Sequence, residues 1–81
     1  MKHYVVVLEW ASEGENGSNV LDVKHSLEEA RQVFNETLEE ERYIAENNGW
    51  EIYEDKDDTF DAGEDGGYTF NHSRLYIQGV M

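Results

Sequence analysis

Eight carboxylates crowd residues 51–65 (EIYEDKDDTFDAGED), against a single lysine. Carboxylates at that density support three kinds of chemistry. They coordinate hard cations, they trade protons as a general acid and base, or they imitate the phosphates of a nucleic acid. The surrounding residues decide among these. Asp61-Ala62-Gly63-Glu64-Asp65-Gly66 has acids at the first and fifth positions of a calcium loop and glycine at the sixth. Gly63 then falls at the third position, where a side-chain ligand is needed, and His72 at the twelfth, where a bidentate glutamate closes the shell. A weak calcium domain, in which Ca²⁺ would order residues 55–67, is therefore the last of three readings, and no cofactor is expected. Proton transfer needs two carboxyls at a set separation, which abundance alone does not provide. The remaining parts of an enzyme are missing: there is no cysteine nucleophile and no glycine-rich phosphate cradle after a strand. Ser12, Ser18 and Ser73 read as turn or strand-edge residues and Ser26 as a helix cap. His3, His25 and His72 lack HxH or HxxxH spacing and read as surface or strand-end residues, so no metal site is expected from them. The chain is not expected to be an enzyme.

Phosphate imitation fits the charge of the whole chain. Duplex DNA carries one charge per ~1.7 Å of axis, a density that clustered carboxylates can approach. The 81 residues hold 19 Asp+Glu against 6 Lys+Arg, a formal net charge of -13. Such a surface repels nucleic acid and attracts basic protein surfaces. The chain is not a disordered acidic tail, because 38% of its residues are hydrophobic and 12% aromatic. It reads as one domain over residues 1–81, of a size that buries only about 60–65% of its unfolded surface. The apolar run Tyr4–Leu8 is too short for a membrane span or an export signal. A cytoplasmic location without membrane contact is the expectation.

The elements that must position these carboxylates are legible from periodicity. Residues 2–11 predict a strand with Tyr4, Val6, Leu8 and Trp10 on one face and Val5 and Val7 on the other, apolar on both sides as in a central strand. Asn16-Gly17 predicts the turn of a hairpin, with residues 19–24 returning. Ser26 and Glu29 form a capping box that opens a helix of about 21 residues, and Gly49 closes it. Residues 50–54 and 75–80 predict further strands, with a short hairpin of residues 59–62 and 68–71 between them. The predicted fold is α+β: an antiparallel sheet (ββα, then two to four strands) with one long amphipathic helix on one face.

Two features of that arrangement are unusual. Glu41 falls inside the apolar arc of the helix, where a carboxylate is costly unless it reaches water or finds a partner. The first reading is that this part of the helix overhangs the sheet edge; the second is a pair with Arg74, His72 or a tyrosine hydroxyl; a catalytic carboxylate is the last. A single helix also leaves the other sheet face, with Val5, Val7, Tyr53 and Tyr76, uncovered.

In general form, short, strongly acidic, free of Cys and Pro and built around one helix, the chain resembles the small anti-defence proteins of phages and mobile elements. DNA-mimic anti-restriction and anti-CRISPR proteins are among them. The resemblance implies binding to a nuclease complex, or to its DNA-recognition surface, with no chemistry of its own. The expected function is accordingly a non-enzymatic acidic inhibitor that occupies a basic, nucleic-acid-binding surface of a larger protein without touching nucleic acid directly. Glu54, Asp55, Asp57, Asp58, Asp61, Glu64 and Asp65 would act as phosphate surrogates, and Tyr53, Phe60 and Tyr68 as exposed aromatic anchors. The outer helix adds Glu28, Glu29, Glu36, Glu39, Glu40 and Glu46. The alternative is a structural or oligomerisation module, homodimeric through the uncovered sheet face, whose acidity serves solubility.

Overall fold

The computed structural model describes residues 2–12, 15–64 and 71–80. They form β1 (His3–Ser12), β2 (Glu15–Lys24), α1 (Leu27–Asn48), β3 (Glu51–Asp55), β4 (Thr59–Gly63) and β5 (His72–Val80). The strands make one antiparallel sheet in the order β2-β1-β5-β4-β3, and α1 packs against one face of it. The α+β architecture is the one the sequence predicts. Among the described residues, no helix is long and apolar enough to cross a membrane.

The core sits between α1 and the sheet. Ala30, Phe34 and Ala45, on one helical face, meet Val6 of β1, Phe60 and Ala62 of β4 and Leu75 of β5, all completely buried. Period-two alternation explains the strand contributions: Tyr4 and Leu8 pack beside Val6, while Val5 and Val7 take the opposite face. β1 lies between β2 and β5, as its two apolar faces require.

The ends of α1 follow its caps. Ser26 Oγ accepts the Glu29 backbone N–H at 3.2 Å, and its hydroxyl donates to the Glu29 carboxylate at 3.0 Å. Gly49 adopts φ 67°, the left-handed conformation that closes the helix, and the Trp50 N–H donates to the Ala45 carbonyl at 2.8 Å.

Three strand assignments differ from expectation, each for a non-local reason. Asn16-Gly17 does not turn the chain. Both residues lie inside β2, with Gly17 opposite Trp10, and pairing continues to Ser12 and Glu15. The Trp10 indole covers Gly17 so closely that a Cβ there would stand 2.8 Å from the ring. Glycine here makes room for a cross-strand tryptophan instead of supplying a turn. The last strand begins at His72, three residues before Leu75, because His72, Ser73 and Arg74 pair with β1 on one side and β4 on the other. Residues 59–62 form no separate hairpin. As part of β4 they pair with both β3 and β5, and of the predicted return strand Asn71 precedes β5 while residues 68–70 lie outside the described ones.

Candidate partner-binding site

Placing the acidic run on this sheet divides it into engaged and free groups. β3 is an edge strand, and its last residue, Asp55, is gripped by Arg42 of α1 through two hydrogen bonds of 2.6 and 2.9 Å. The bonds from that guanidinium hold the Asp55 carboxyl below the ordinary aspartate range and push Arg42 up in turn. Glu54, half-buried, has the Lys56 ammonium at 3.6 Å. Asp57 and Asp58 are exposed in the β3–β4 connection, and no ion pair engages either among the described residues. Glu64 is tied down locally: its carboxylate accepts from Asn71 Nδ2 at 2.7 Å and its carbonyl from the Tyr53 hydroxyl at 3.0 Å. Tyr53 is exposed, with its hydroxyl used in that contact. Asp65 and Tyr68 lie outside the described residues.

Phe60 and Asp61 do not stand where the sequence places them. Phe60 is 0% exposed and belongs to the core, so it presents no anchor to a partner. Asp61 is 2% exposed and hydrogen-bonded to His72 Nε2, so it presents no phosphate-like charge and cannot serve as the first ligand of a calcium loop. The cause is common to both. β4 is an inner strand, so alternation sends Phe60 to the helix side and Asp61 to the other. There the flanking strands close off water and β5 supplies an imidazole.

Exposed acid lies instead on the outer surface of α1, with Glu29 engaged by the Ser26 cap. Glu28, Glu29, Glu36, Glu39, Glu40 and Glu46 are all exposed, and the last turn holds no basic residue. Tyr43 stands among them, 69% exposed, flanked at helical spacing by Glu39, Glu40 and Glu46. Arg42 shares the flank of Glu39 and Glu46 and feels the charge of Glu46. Its bridge to Asp55 therefore brings the C-terminal half of α1 alongside the β3–β4 connection. Between them runs a groove of about 430 Å³. Its lining includes Arg31, Arg42 and Lys56, so half of the chain's cations punctuate this side.

Glu41 does not overhang an edge; it is 7% exposed. No hydrogen bond or ion pair to Arg74, His72 or a tyrosine engages it among the described residues. Burial first, and then the charge of Glu40, push its carboxyl above the ordinary glutamate range. A raised folded value means that protonated Glu41 favours the fold fully below the ordinary pKa of 4.5 and that this contribution is lost as pH rises through the folded value. The wild-type chain should thus lose more stability between about pH 5 and about pH 8 than Glu41→Gln does. Urea unfolding of both proteins across that range checks it; parallel profiles would refute the buried carboxylate.

The sheet face away from α1 carries polar groups that sequence reasoning treated singly. Glu9, Arg74 and Asp61 stand directly opposite one another across β1, β5 and β4. The Arg74 guanidinium lies 5.4 Å from the centre of the Tyr76 ring, and its Nε is buried with no partner among the described residues. Burial, followed by the neighbouring Glu9 carboxylate, pushes the Tyr76 hydroxyl up. At the far end of this face the rings of His3 and His25 meet. Only strand register brings these residues together, and register was the one signal that could have found them. The chain matches no family model, no curated protein and no solved structure.

Proposed function

We propose that this chain is a non-enzymatic acidic inhibitor that occupies a basic, nucleic-acid-binding surface of a larger protein, such as a restriction or CRISPR nuclease complex, in the cytoplasm. The observation that supports it best is the Arg42–Asp55 bridge, which sets Glu39 and Glu46 of the helix on the same side of the molecule as the exposed aspartates of the β3–β4 connection. The recognition surface is then Glu39 and Glu46 with Asp57 and Asp58, extended over the outer helix by Glu36, Glu40 and the exposed Tyr43, which takes the place of Phe60, while Tyr53 lies beside His72 on the other face of the sheet. Charge steers the encounter and selects the partner; Tyr43 supplies contact area once water is expelled.

The test starts from capture of a nucleic-acid-binding partner from a nuclease-treated bacterial lysate, with heparin as competitor. Association of the purified partner is then timed with the wild type and with a fourfold variant, Glu39→Gln, Glu40→Gln, Asp57→Asn and Asp58→Asn. Removing steering charges should slow association about tenfold or more and flatten its salt dependence, with an unchanged unfolding midpoint. Unchanged association would refute the proposal.

A second reading, a homodimeric structural module, draws on the open sheet face, where Val20, opposite Val7, is 62% exposed and Val23, opposite Val5, is 50% exposed. It requires a dimer by sedimentation that does not respond to salt.

A further inference from the structure

We infer that His3 and His25 form a two-imidazole chelate for a late first-row divalent metal ion, of which Zn²⁺ is the representative. The sequence separates these residues by a whole hairpin. The fold joins them, because Tyr4↔Lys24 is the last registered pair of β1 and β2 and one further step sets His25 across from His3. Their ring centres are 4.9 Å apart, with the planes tilted at 55°. Zn–N bonds are about 2.0–2.1 Å, and a ring centre lies about 1.1 Å beyond its nitrogen, so two imidazoles on one ion at an N–Zn–N angle of about 100° have centres about 4.9 Å apart. The observed separation is within what a shared ion allows.

The setting supports the assignment in three ways. The chelate is preorganised: β1 fixes the backbone of His3, while Lys24 pairing and the Ser26 cap fix His25 from both sides. The lysines next to each histidine do not crowd it. Alternation turns Lys2 and Lys24 to the opposite face of the sheet, where Lys2 lies 5.4 Å over the Tyr4 ring and Lys24 stands 3.4 Å from Asp22. The net charge of -13 raises the local concentration of divalent cations. Imidazole nitrogens then select among those cations, favouring Cu²⁺, Ni²⁺ and Zn²⁺ over Mg²⁺ and Ca²⁺, which prefer oxygen. No group of three His, Cys, Asp or Glu residues that could hold a metal occurs among the described residues. The ion would therefore keep open positions for water or for a group on a partner, and its affinity for this chain alone is modest. This site is independent of the acidic recognition surface.

The test is a Zn²⁺ titration of the full chain followed by the histidine ring signals in NMR, with Mg²⁺ at matched ionic strength as control. One ion per chain should move the His3 and His25 rings together, with Mg²⁺ moving neither. Loss of an outer-shell partner alone weakens metal sites about 10–100-fold, so His25→Gln and His3→Gln should each lower Zn²⁺ affinity about tenfold or more. His25 is exposed in the bend after β2, so its variant keeps the fold even if the His3 variant does not. Zn²⁺ binding that survives the double substitution assigns the ion to carboxylates and overturns the proposal, as do histidine rings that do not respond.

Discussion

Phe60→Ala should remove a large part of the chain's folding stability and lower its urea midpoint sharply. Phe60 is among the largest completely buried side chains, with Phe34, Leu75 and Val6. Truncating a buried phenylalanine to alanine costs about 3–5 kcal/mol in lost transfer energy and residual cavity. At about 0.05–0.15 kcal/mol per residue, a domain of this size holds about 4–12 kcal/mol in all. The loss is therefore about a quarter of the total or more, and it unfolds the chain outright only if the total lies at the low end of that range. The ring is also the floor under Arg42, whose guanidinium lies 5.4 Å from its centre, so the variant loosens the bridge that fastens α1 to β3. Asp57→Asn, three positions away on an exposed connection, should shift stability by less than about 0.5 kcal/mol. Urea titration by far-UV circular dichroism compares the two directly. A loss below about 1 kcal/mol for Phe60→Ala would mean that β4 does not line the core.

The contrast between neighbouring residues of one acidic run shows what the sequence could and could not reveal. The helix was legible because its signals are local: Ser26 with Glu29 at the start, Gly49 at the end, and apolar residues repeating between. β1 was legible as a central strand because both of its faces are apolar. β4 was not, because Thr59–Gly63 has only Phe60 and Ala62 to mark it and is surrounded by acids. What makes it an inner strand is pairing with β3 and β5, and pairing partners are not written in the strand itself. The polar start of β5 and the place of Asn16-Gly17 inside β2 went unread for the same reason. In the candidate site, the surviving exposed residues are those on the edge strand, the β3–β4 connection and the outer helix, where local exposure decides. Phe60, Asp61 and the His3–His25 contact depend on neighbours from distant strands, and Glu41 was found by its place in the helical period although its depth was not.

Asp61→Ala should cost about 1–3 kcal/mol, the penalty for removing one partner of a buried hydrogen bond. Asp61 and His72 are both nearly inaccessible to water and share a hydrogen bond across the β4–β5 end of the sheet. The pair is not expected to be worth that amount, because desolvating both groups offsets much of their attraction. Replacing both, Asp61→Leu with His72→Phe, should recover most of the loss and can even exceed wild-type stability. A double-mutant cycle by urea unfolding separates the cases, with coupling of about 0.5–3 kcal/mol expected between residues in direct contact. Additive losses would show that each residue is held by other contacts and that the pair is incidental. The result also governs how charge variants are read. An Asp61 substitution that abolished partner binding would report a damaged sheet, whereas Asp57 and Asp58, exposed and without an ion pair among the described residues, report charge, and Asp58→Asn keeps the acceptor that Thr59 Oγ1 uses. A proposal built on surface electrostatics is therefore tested by the aspartates that water reaches, with Asp61→Ala as the control for unfolding.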